Sequence, residues 1–140
     1  MHPDDLLADH PEVRIERPPL LWDARADRTT AGALLDAMIA AALARNGGRP
    51  DEITVNLSNV IVEPSAADPL PAGELVAITV AGAGRWGPEG TWRAGDTAAG
   101  RLLDPRVDAA LPASDAVFAY VRSLGEDAGS VTVLFPREAG

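Results

Sequence analysis

The order of hydrophobic periodicities along the chain predicts an α+β fold. Its expected form is a two-layer sandwich of one sheet and two helices in the ferredoxin-like βαββαβ order, with another mixed-sheet α/β sandwich as the alternative. Three observations carry this. Ile53, Val55 and Leu57 alternate with Thr54, Asn56 and Ser58, and Val76, Ile78 and Val80 repeat the period of two. Leu34, Leu35, Met38, Ile39, Ala42 and Leu43 recur instead at helical spacing. The length, 140 residues, is that of one domain.

Residues 1–28 read as an N-terminal arm and residues 29–136 as the α+β body of a single domain spanning 1–140. In the arm, Val13 and Ile15 alternate with charged neighbours, a short strand that Pro18 and Pro19 stop. Leu20, Leu21 and Trp22 follow as an apolar plug expected to lie on the body. Thr29 or Thr30 is positioned to cap the first helix, because a hydroxyl accepts from the free N–H groups of a first turn. Asn46, Gly47 and Gly48 supply the left-handed residue that closes it. The first long strand loses its phase at Asn59, where Val60, Ile61 and Val62 are all apolar, so a bulge or a doubly buried end is expected.

A proline-rich connection, residues 64–71, leads to the second long strand. Gly82 to Gly100 is irregular, and Leu102 to Leu111 has room for one or two helical turns. A second full helix is expected from Ser114 and Asp115, with Val117, Phe118, Val121 and Leu124 as its stripe and Gly125 as its end. A last strand runs from Val131 to Phe135 and stops at Pro136.

Composition closes several functional classes. Twelve basic residues stand against 21 acidic ones, a formal charge of −9. That field repels a phosphate backbone and an anionic membrane, so nucleic acid and membrane are not expected partners. All the basic residues are arginine and lysine is absent, which excludes a Schiff-base enzyme and a Walker A loop. The arginine- and alanine-rich bias suggests a bacterial source. Cysteine is absent, so there is no disulfide, thiolate nucleophile or cysteine-bound metal. The acidic N-terminus has no apolar stretch, and no window is long and apolar enough to span a membrane, so a soluble, cytoplasmic protein is expected.

The motifs are few. Gly82, Gly84 and Gly87 match a dinucleotide fingerprint in spacing, but that chemistry needs a helix to begin there, and Pro88, Glu89 and Gly90 follow instead. His2 and His10 stand among Asp4, Asp5 and Asp9 without a metal-ligand spacing. No cofactor, metal or catalytic set is expected. The Gly82–Arg93 loop concentrates Arg85, Trp86, Glu89, Trp92 and Arg93, groups that stack and fork onto partners, and is the first candidate binding surface. Trp86, among glycines and a proline, is expected to be exposed, whereas Trp92 is expected to be core at the start of an extra edge strand. Asn56, Ser58 and Asn59 form a second candidate group. They are the solvent face of a strand, or the lining of a polar groove if the face opposite the helices is covered.

The expected function is a non-enzymatic protein-binding or regulatory domain acting through the tryptophan loop on another protein, a basic one by charge complementarity. A small-molecule binder or minimal enzyme with that loop as a lid is one alternative. A structural subunit of a homo-oligomer is the other.

Overall fold

The computed structural model describes residues 1–63, 72–82, 84, 86, 90–92, 105–112, 118–123 and 129–138. Within them the chain forms one mixed sheet with helices packed on it. The strands are β1 (Arg14–Glu16), β2 (Thr54–Val62), β3 (Gly73–Ala81), β4 (Gly90–Trp92), β5 (Phe118–Ser123) and β6 (Gly129–Pro136). The helices are α1 (Arg28–Asn46) and the short α2 (Pro105–Ala110), with 3-10 turns at Pro3–Asp9 and Pro50–Glu52.

The strand order is β1-β2-β3-β6-β5-β4, with β1 parallel to β2 and every other pair antiparallel. An α+β sheet is thus found, but this order does not reproduce the ferredoxin-like one. Two differences account for it. Phe118–Ser123, expected as the stripe of a second helix, is strand β5, paired with β6 from Phe118↔Leu134 to Ser123↔Gly129. The segment satisfies both periods over so short a run, and the free edge of β6 selects the extended one. Moreover, β1 is an edge strand of three residues. Residues 114–117, 124 and 125 of the expected helix lie outside the described residues.

α1 forms where the helical spacing places it. Its N-cap, however, is Asp27, not a threonine. The Asp27 carboxylate accepts from both the backbone N–H and the hydroxyl of Thr30, each at 3.0 Å. Carboxylates serve this position as well as hydroxyls do, and here the negative charge also meets the positive end of the helix. Gly47 closes the helix at φ 78°. The Asn46 side chain, largely buried, accepts from the N–H groups of Gly48 and Arg49 and donates to the Arg49 carbonyl at 2.7 Å.

Leu34, Leu35, Met38, Ile39, Ala41 and Ala42 of α1 are buried on Val55, Leu57, Val76, Ile78, Val80, Val131, Val133 and Phe135 of the sheet. Ala41, which is not part of the helical spacing given above, is also inside. It lies two turns beyond Leu34 and one beyond Met38 on the same stripe, and α2 packs alongside α1. Leu43 is only partly buried.

The arm is docked through backbone groups. Arg14 N–H donates to the Ile53 carbonyl, Arg25 N–H to Pro136, and Glu138 N–H to Asp23. Leu6, Leu7 and Val13 enter the main core. Of the expected plug, Leu21 and Trp22 pack on the core, but Leu20 is 83% exposed. Its backbone carbonyl, not its side chain, makes the contact. The expected bulge at Asn59 is absent: β2 and β3 stay in register from Thr54↔Ala81 to Val62↔Gly73. Asn59 breaks the apolar phase because its amide receives the arm, accepting from Trp22 N–H at 2.9 Å and donating to the Leu20 carbonyl at 2.7 Å. Gly82 ends β3 at φ +96°, and a Cβ there would stand 2.0 Å from the Glu52 carbonyl oxygen, so only glycine fits.

Replacing Ile39, which is buried, by Asp is expected to place an unpaired charge in the core. The cost is several kcal/mol, about the stability of a whole domain. Thermal denaturation should show a chain without a cooperative transition. Asp27 supplies a pH-dependent test. The hydrogen bond from Thr30 N–H, and then that from its hydroxyl, hold the Asp27 carboxyl below its ordinary 3.8. A group with a depressed folded pKa contributes stability above its unfolded pKa and loses it as the pH falls through the folded one. Asp27→Ala should therefore melt below the parent at pH 7, and the gap between the two melting curves should shrink as the pH drops well below 3.8.

Candidate functional site

The sheet has two unlike faces because the strands alternate. One face, carrying Val55, Leu57, Ile78 and Val133, is covered by α1. The other is divided along the strands. At one end Leu75, Ala77 and Leu134 are buried as a second, smaller cluster, with Val60 and Val62 against it. At the other end the same face turns polar and holds a groove of about 380 Å³.

Strand register arranges the groove in two rows. Glu16, Asn56, Thr79 and Thr132 are successive partners across β1, β2, β3 and β6. Thr54, Ala81, Ser130 and Arg122 are successive partners across β2, β3, β6 and β5. Neighbouring strands lie about 4.8 Å apart, so each row is a ladder of side chains at that pitch. Ala81, the smallest member, leaves its row low between Thr54 and Ser130.

The hydrogen bonding is only partly internal. The Thr79 and Thr132 hydroxyls bond each other at 2.7 Å, and the Asn56 amide donates to the Glu16 carboxylate at 3.3 Å. Ser130 is 6% exposed and lines the groove, and its hydroxyl makes no side-chain hydrogen bond among the described residues. The guanidinium of Arg122, its cross-strand partner, likewise has no ion pair or hydrogen bond among the described residues. The Thr54 hydroxyl is also uncommitted among them. A serine hydroxyl and a guanidinium side by side are two donors of the kind a carboxylate accepts from.

The sequence candidates are distributed as follows. Asn56 is in the groove. Ser58 is half-buried on the same face of β2, opposite Ala77 and next to the apolar cluster. Asn59 points to the other face, where its amide holds the arm. Trp86 is 2% exposed and belongs to the main core, which corrects the expectation of an exposed loop anchor. The Arg45 guanidinium of α1 stacks on its ring, 4.5 Å from the centroid. The wide sheet needs more apolar cover than α1 supplies, and the indole is bulky enough to provide it. Its Nε1–H is buried and has no hydrogen-bond acceptor among the described residues. Arg85, Glu89 and Arg93 lie outside the described residues. Trp92 ends β4, the short edge strand that the sequence suggested. Most of the dinucleotide-like segment after Gly82 lies outside the described residues, and the chain is a strand again at Gly90.

Sequence reading missed Ser130, Arg122, Thr132 and Thr79. Thr79, Ser130 and Thr132 carried a usable signal, as polar positions alternating with buried ones in β3 and β6. The assignment of Arg122 to a helix concealed that it faces the same groove.

His10 lies on the opposite side of the molecule, bound to α1. Its Nε2 is 2.6 Å from Asp36 Oδ1, and its Nδ1 is 3.5 Å from Glu12 Oε1. His2 Nδ1 accepts from Asp4 N–H at 3.3 Å. No group of three or more His, Asp or Glu among the described residues is placed to hold a metal ion. No protein-family model matches the chain, and a search of curated proteins finds no match.

The burial of Trp86 is directly measurable. With Trp22 and Trp92 replaced by Phe, the remaining indole is expected to emit at short wavelength and resist acrylamide. Trp86→Ala should cost about 3–5 kcal/mol in denaturant unfolding, the usual cost of emptying a core aromatic site.

Proposed function

We propose that this protein is a non-enzymatic binding domain, and that it receives another protein in the polar groove of the open sheet face, not on the tryptophan loop. The observation that carries the reading is the pair Ser130–Arg122: a largely buried serine that lines the groove and an exposed arginine, adjacent across two strands and both uncommitted among the described residues. Because neither group is tied to an internal partner among the described residues, a ligand meets both donors without breaking a contact of the fold. Trp86 cannot serve as a surface anchor while it is buried in the core.

The groove supports binding better than catalysis. A serine is a weak nucleophile without an adjacent base. Glu16, the carboxylate of the groove, stands three strands from Ser130, roughly 14 Å at the usual spacing. Both histidines are in the arm, and His10 is held on α1 beyond the sheet. A cytoplasmic setting is part of the proposal; among the described residues no helix is long and apolar enough to cross a membrane.

Site-specific photocrosslinking tests this. A benzophenone side chain at Thr132, in the groove, is expected to trap one discrete partner in cells that make the protein. The same probe at exposed Ile61 is not. Identical products from both positions, or crosslinks from Thr132 only to a second copy of the chain, would overturn the reading.

A further inference from the structure

We infer that the groove is a receptor for the C-terminal end of an extended peptide, with the terminal carboxylate on Arg122 and Ser130 and a positively charged group, about three residues upstream, on Glu16. This deepens the binding reading above and rests on it.

The argument begins with the sign and place of the charges. Among the described groove residues Arg122 is the one cation and Glu16 the one anion, and they stand at opposite ends. A polyanion would be repelled at Glu16 and a polycation at Arg122, so the arrangement favours a ligand carrying both signs, apart. Their strands are four steps from each other, which places their backbones roughly 19 Å apart. Glu16 reaches inward to the Asn56 amide, and with Arg122 extended toward it the charged heads would stand roughly 10 Å apart. An extended chain covers about 3.3–3.6 Å per residue, so about three residues fit that gap.

The floor between the charges suits a peptide. Thr79, Thr132 and Asn56 present hydroxyl and amide groups, each able to donate and to accept. Peptide N–H and C=O groups alternate in the same way. The internal bonds Thr79–Thr132 and Asn56–Glu16 leave acceptor capacity at all three side chains, and donor capacity at the Asn56 amide and at one of the two threonines. At the cationic end, Arg122 offers a planar fork and Ser130 an adjacent hydroxyl, the geometry that a terminal carboxylate takes up with two oxygens. Alanine at position 81 keeps the backbone of the ligand from being lifted off the floor.

The probe is acetyl-Arg-Ala-Ala-Ala with a free carboxylate, titrated into the intact, isotope-labelled protein. Saturable amide shifts are expected at Ser130, Thr132 and Thr79, with a Kd of about 0.1–1 mM for so small a ligand. Amidating the peptide C-terminus should weaken binding at least tenfold. Arg122→Gln should remove the difference between acid and amide peptides. Glu16→Arg should prefer the same peptide with Glu in place of Arg. Arg122 and Glu16 are exposed, so both variants keep the fold, and their spectral dispersion verifies it.

Equal binding of acid and amide peptides, shifts confined to other surfaces, or no shift at about 10 mM peptide would overturn the inference. If the peptide fails while Thr132 still traps one partner, only the peptide-end assignment falls. If the peptide binds while Thr132 traps nothing, the protein-partner reading falls and a free short peptide is the ligand.

Discussion

The structure depends on a mismatch of widths. Six strands at about 4.8 Å span roughly 25 Å, whereas one helix with its side chains is only about 10–12 Å across. α1 covers the middle of its face of the sheet and leaves apolar surface on both sides. The chain recruits whatever else it has. α2 packs beside α1, Trp86 enters from the loop after β3, and the arm brings Leu6, Leu7 and Val13. At roughly 25 cal/mol per Å² of apolar area removed from water, these additions matter to a domain of this size. The arm is therefore part of the fold.

The same constraint explains the polar devices on that side. Where the arm crosses β2, its backbone needs partners that the short β1 ladder does not supply, and the Asn59 amide provides one donor and one acceptor. Further along, Arg137 stacks on Trp22 and pairs with Glu74, so the arm, β3 and the end of β6 meet at one point. His10 ties the arm to α1 through Asp36. Each contact is exposed or half-buried and individually modest. Their common effect is to hold a segment that local sequence preference leaves irregular.

The opposite face obeys a different rule. Its apolar end is closed by Leu75, Ala77 and Leu134, and its polar end presents hydroxyls, an amide and, among the described residues, one charge of each sign. A sheet face made only for solvent has no need to bury a serine beside an arginine that has no partner among the described residues. The two adjacent rows are products of register: a slip of one residue in any strand would exchange this set for the apolar set of the other face. The groove is thus specified as tightly as the core, since the core fixes the register.

By itself the sequence determined the long α1, the strands β2, β3 and β6, and which of their faces is apolar. In these segments the periodicity or the apolar run is long enough to admit one reading. It also determined the turn at Gly47 and the acidic, lysine-free and cysteine-free chemistry. Tertiary structure alone decided the rest. Phe118–Ser123 is short enough to suit either period, and it became a strand because β6 offered an edge. Trp86 has no regular element around it, so its burial followed from how much sheet α1 failed to cover. Asn59 looked like a fault in a strand until the arm lay across it. Ser130 and Arg122 are eight residues apart in sequence and become adjacent only when β5 and β6 pair, which is why the candidate receptor could not be assembled from spacing.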